Sequence, residues 1–109
     1  MSETYTYIPD ITGPAAEIPP DSILSRTFYS DSQVKVILFN FAKSQELSEH
    51  TASRPAIIHF LQGEARLRLG KDEFEVHAGA WVHMPPNFTH SVLARTPVTM
   101  LLILLETGG

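Results

Sequence analysis

The sequence predicts an all-β domain, a sandwich or a barrel, and three observations carry that expectation. Short runs of β-branched, aliphatic and aromatic residues recur from Val34 to Leu105, with turn signals about every eight to twelve residues. Several runs alternate apolar and polar residues, Ala65-Arg66-Leu67-Arg68-Leu69 most strictly. No segment has a helical period: residues 44–54 are the one stretch long enough for a short helix, and their apolar residues do not recur with helical spacing.

The elements follow in order. Residues 1–22 contain Pro9, Gly13, Pro14, Pro19 and Pro20, which exclude a regular helix and leave an extended arm. Within it Thr4-Tyr5-Thr6-Tyr7-Ile8 is β-prone, so one strand is expected there, laid against this chain's sheet or a neighbour's. Val34–Phe41 is the first strong strand, apolar on both faces towards its end. A polar stretch, 43–55, leads to a strand at 56–61 that sets His59 among aliphatics. Gly63 turns the chain into 65–69, and Gly70-Lys71-Asp72 makes a hairpin into the alternating Glu73–His77. Ala78-Gly79 turns into Trp81–Met84, Pro85-Pro86-Asn87 breaks it, and His90–Ala94 resumes. The last strand, Val98–Leu105, is continuously apolar. The interior is expected to hold Ile58, Leu67, Leu69, Phe74, Val76, Val82 and Val92, with Val36, Leu38 and Ile103 from the two doubly apolar strands.

At 109 residues the chain reads as one domain, and 43% hydrophobic with 18% charged residues describes a folded chain. A net charge of −4 with scattered Lys and Arg argues against a nucleic-acid partner. With no cysteine, disulfides, thiolate metal sites and Cys nucleophiles are excluded. The amino terminus lacks a secretory pattern, and Met100–Leu105 is too short to cross a bilayer, so the expectation is a cytoplasmic protein without a membrane partner.

Gly79, Pro85, Asn87 and His90 reproduce the spacing of the second motif of the cupin family, with Asn87 in place of a glycine. His50 and Gly63 match the first histidine and closing glycine of the first motif, while Ser44, Ala52 and Ala56 stand where it has a glycine, a second histidine and a glutamate. From Val34 to Glu106 the chain therefore resembles a small cupin, and the resemblance implies a jelly-roll barrel with a histidine-lined mouth. It carries over His50 and His90 as metal ligands for a divalent ion such as Fe, Mn, Ni or Zn.

Two histidines are fewer than the three or more ligands such a site takes. His59 and His83 are reserve ligands, although alternation places both on the opposite face from the lost glutamate. His77, between charged neighbours, is expected in solvent. Glu46, Glu49 and Arg54 lie in the loop beside the mouth, and Glu46 or Glu49 stands in for the missing carboxylate in one arrangement. Arg54 would meet an anionic ligand. Phe60, Trp81, Met84 and Phe88 offer apolar lining for a small organic molecule. No nucleophile elbow or phosphate loop is present.

Two functional readings follow. In one, the chain is a metal-dependent enzyme of the dioxygenase, isomerase, lyase or decarboxylase type. In the other, it is a binding or sensing module without chemistry, its metal site degraded. Fold alone does not choose between them. The doubly apolar last strand and the β-prone arm lead to the further expectation of a homodimer.

Overall fold

Alternation along the strands sorts the side chains onto two sheets that face one another. The computed structural model describes residues 4–12 and 18–106, with the side chains of Glu49 and His50 outside that description; Gly13 and Pro14 of the arm lie outside it too. The strands among the described residues are β1 (Ile23–Ser30), β2 (Val34–Phe41), β3 (Glu46–His50), β4 (Ala56–Gln62), β5 (Glu64–Leu69), β6 (Asp72–His77), β7 (Trp81–Met84), β8 (His90–Ala94) and β9 (Val98–Leu105). One sheet has the order β1-β2-β9-β4-β7 and the other β3-β8-β5-β6. Every paired ladder is antiparallel, and the result is an all-β jelly roll.

Two strands escape the sequence pattern. β1 reads Ile-Leu-Ser-Arg-Thr-Phe-Tyr-Ser, an edge strand mostly exposed and so under no pressure to alternate, and carries no strand signal of its own. Its hairpin to β2 is closed by Asp31, whose Oδ1 accepts the amides of Gln33 (2.7 Å) and Val34 (2.9 Å). β3 falls in the polar stretch and pairs with β8 through Leu47↔Val92 and His50↔His90, with an irregularity between.

Register separates the faces that composition leaves ambiguous. Phe41, Ala56, Ile58, Phe60, Met84, Val98 and Met100 belong to the buried cluster between the sheets. Val36 pairs with Ile103 and Leu38 with Leu101, and Ile103 and Leu101 pair in turn with Ile57 and His59. These residues form the outer face, so the interior positions expected for Val36, Leu38 and Ile103 are corrected: Phe39, Phe41, Met100 and Leu102 face inward instead. Both faces of β2 and β9 are apolar, and alternation cannot choose between them.

The arm explains how one outer residue is nevertheless buried. Leu38 is 3% exposed, and its cross-strand neighbour Arg26 donates to the carbonyl of Ile11 (2.7 Å), fastening the arm across β1 and β2. Thr4–Ile8 adds no strand to this chain's own sheets. Thr6, Ile8 and Ile11 of the arm instead enclose a groove of about 360 Å³ with Phe28, Tyr29 and Val36, while Tyr5 and Tyr7 point into solvent.

Candidate functional site at the barrel mouth

The inner face of the four-stranded sheet consists of rows that can be read across the ladder. One runs Phe74–Leu67–Val92–Leu47, apolar throughout. The next runs Asp72–Leu69–His90, and on the adjacent antiparallel strand His50 is the backbone register partner of His90. Residues forty apart in the chain, 50 and 90, are thus brought opposite one another by β3 pairing with β8. His90 is 3% exposed, and its Nδ1 lies 3.0 Å from the carbonyl oxygen of Phe88. A carbonyl only accepts, so Nδ1 carries the proton and, in the neutral ring, Nε2 is the acceptor nitrogen. The Phe88 carbonyl thus sets the orientation of the His90 ring.

Two loops frame this row. The amide of Asn87, before β8, donates to the carbonyl of Ala52, between β3 and β4 (2.7 Å). Ser44 and Asn87 have φ of 73° and 64°, and Gly63 and Gly79 have φ of 92° and 101°. All four motif positions at which a glycine is expected, or replaced, therefore adopt a left-handed backbone. Glycine, and after it asparagine, enters that region readily, so Asn87 is a mild replacement; Ser44 is a strained one.

A family model described as the cupin domain matches residues 37–104. The chain belongs to the cupin family. The cupin is similar in structure to a conserved protein of unknown function from Streptococcus pyogenes (TM-score 0.81, 24% identity, 98% of this chain and 93% of that one). It is also similar to a cupin superfamily protein from Desulfitobacterium hafniense (TM-score 0.77, 23% identity, 83% of each chain). A third likeness is to an RmlC-like cupin from Shewanella frigidimarina (TM-score 0.77, 14% identity, 95% and 91%). Among curated proteins none matches the chain. These likenesses establish the fold; the site must speak for the chemistry.

As a metal centre this cupin's donor set is short. Ala52 and Ala56 occupy two motif positions without a ligand atom, and Ala56 is buried on the inner face against Met84 and Leu104. Among the described residues no group of three or more His, Asp or Glu side chains converges. His50 and His90 are the two histidines the motif carries over, fewer than the three or more ligands a resident ion takes, and the side chains of His50 and Glu49 lie outside the described residues. The reserve histidines lie elsewhere. His59 pairs with Trp81 and Leu101, and His83 pairs with Ile57, all on the outer face of the five-stranded sheet. His77 is exposed, as its charged neighbours imply.

The other expected pocket residues scatter. Glu46 pairs with Leu93, the residue opposite Arg66, and lies 3.7 Å from the Arg66 guanidinium on the outer face, away from the mouth. β3 is a strand and not a loop, and its register fixes that orientation. Arg54 donates from Nε to the carbonyl of Leu105 (3.0 Å), clamping the end of β9. Phe60 and Met84 are fully buried members of the central cluster. Phe88 leans over the tight turn at Gly70, where a β-carbon would meet its ring at 3.5 Å. Sequence reasoning missed Leu69 as the neighbour of His90 and the Phe88 carbonyl as its orienting group. The first needed the register; the second is a backbone atom and leaves no mark on residue identity.

Proposed function

We propose that this cupin is a small-molecule binding module in which the mouth histidines His50 and His90 act as polar contacts to an organic ligand. The observation that supports the reading most is the replacement of two motif donors by Ala52 and Ala56, beside a buried His90 whose ring is oriented by the Phe88 carbonyl. The alanines carry no donor atom where the motif has two, and a buried imidazole whose ring is oriented by a backbone carbonyl is suited to a polar contact with a hydroxyl or carboxylate oxygen. The competing reading is a divalent Fe, Mn, Ni or Zn ion held by the two imidazoles and completed by the ligand's own oxygens, which would reopen the enzyme classes.

One experiment separates them. Protein purified without a histidine tag and dialysed against a chelator is assayed for metal, then screened by thermal shift against small polyols and carboxylates. The expected result is substoichiometric metal and stabilising compounds whose effect is lost in His90→Gln. A stoichiometric ion that survives the chelator overturns the module reading. The same proposal includes a homodimer, supported by the apolar outer row Val36–Ile103–Ile57, which the arm reaches only at the Val36 end.

A further inference from the structure

The two sheets do not close on one another at β6 and β7, each the last strand of its sheet. Phe74 and Val76 stand at inward register positions, opposite Leu67 and Ala65, yet Phe74 is 48% exposed. An inward-facing phenylalanine left half in water marks an open seam, which is why the interior place expected for it from alternation is not achieved. Across the seam Trp81 is 60% exposed. Between them lies a cavity of about 340 Å³ walled by Leu67, Leu69, Val76, Ala80 and Val82. Glu75 is the one ionisable residue at its rim, and its carboxylate is turned away to the Arg95 guanidinium (3.0 Å).

We infer that this slot is a second ligand site, lateral to the histidine row, which takes a small uncharged molecule with an apolar ring. Its volume lies in the range of small-molecule pockets, and its walls present apolar side chains with no charged group aimed inward. A charged ligand would lose its hydration without compensation there, whereas a flat ring gains both burial and contact with Phe74. Leu69 lines the slot and is also the cross-strand neighbour of His90, so an occupant lies one strand away from His90.

Trp81, the only tryptophan in the chain, borders the slot from β7 with its register position on the outer side of the sheet, so it is an energy donor within reach of a bound probe. The probe is N-phenyl-1-naphthylamine, neutral and fluorescent on burial. The expected result is saturable binding of one probe per chain with energy transfer from Trp81. Ala80→Leu, which fills the slot, should weaken binding at least tenfold, and Phe74→Gln, which removes a half-exposed lip, at least threefold. If Ala80→Leu does not fold, Phe74→Gln decides. Val36→Thr, in the separate groove beneath the arm, should leave the affinity unchanged. Binding that is insensitive to Phe74→Gln, lost in Val36→Thr, or silent at Trp81 overturns the inference.

Discussion

The backbone of Gly63 passes beneath the carbonyl oxygen of Pro97 so closely that a β-carbon on residue 63 would lie 2.1 Å from it. The contact joins the β4–β5 turn to the β8–β9 turn, and the Glu64 amide reinforces it by donating to Thr96 Oγ1 (2.8 Å). Gly63→Ala meets both a positive φ and a backbone atom that cannot yield, and should cost about 3 kcal/mol or more in urea denaturation. Gly79 shares the left-handed backbone but has nothing within 4 Å, so Gly79→Ala should cost only about 1–2 kcal/mol. The difference between the two variants isolates the steric part. Equal losses would show that the Pro97 contact is relieved by a small shift.

Ser44 gives the opposite case, a non-glycine residue held at φ 73°. Its amide donates to the carbonyl of Ala94 (2.9 Å), a bond that glycine retains. Ser44→Gly removes the strain of the side chain but makes the unfolded chain more flexible, and the two effects oppose. The first is the larger, so a net gain of about 0.5–1 kcal/mol is expected in the denaturation midpoint. Asn87→Gly should change stability by less than about 0.5 kcal/mol, because asparagine already tolerates that conformation. A loss of stability in Ser44→Gly contradicts the strain argument.

These backbone positions show what was legible in the sequence. Gly63 and Gly79 carry the family pattern because their places require a positive φ, which residue type records directly. Strict alternation placed Leu67 and Val92 in the interior, and the outward sense of His59 and His83 followed from the same period. What could not be read depended on pairing between distant strands. The histidine row, the outward turn of Glu46 and the swap of Leu38 for Phe39 all follow from register, which two doubly apolar strands leave open. The half-exposure of Phe74 depends on which strands end the sheets, a property of topology and not of the residues beside it.

Two exposed carboxylates give the protein a predictable acid limb. The Tyr29 hydroxyl donates to Asp31 Oδ2 (2.6 Å), and together with the Gln33 and Val34 amides it holds the Asp31 carboxyl below its ordinary range. Arg95 does the same for Glu75. A carboxyl lowered in the folded state contributes stability that is present above its unfolded value and is lost as pH falls through the folded one. Tyr29 is the mirror image: its phenol is raised by the hydrogen bond to Asp31, so its contribution is present below the ordinary tyrosine value and fades as pH rises through the folded one. Tyr29→Phe should therefore move the Asp31 titration upward in carboxyl-carbon NMR and leave Glu75 in place, whereas Arg95→Gln should do the reverse. A common shift of both groups in either variant would contradict the local assignment.

The outer face of the five-stranded sheet makes the last prediction. Two rows cross it, Tyr29–Val36–Ile103–Ile57–His83 and Arg26–Leu38–Leu101–His59–Trp81. The arm lies over the β1 and β2 ends of both rows, where Arg26 fastens it to Ile11, and does not reach their centre at Leu101, Ile103 and Ile57. Those three aliphatics are contiguous and only half-buried, and a two-fold partner presenting the same patch would complete their burial without leaving an open end. At micromolar concentration sedimentation should give about twice the chain mass of 12.1 kDa. Ile103→Lys places a charge at the centre of the patch and should return the mass to that of one chain, with the fold retained by circular dichroism because the side chain already points away from the interior. A wild-type mass of one chain rejects the dimer. A dimer that survives Ile103→Lys moves the contact to another surface, and removal of residues 1–9 then asks whether Tyr5 and Tyr7, exposed on the arm, carry it.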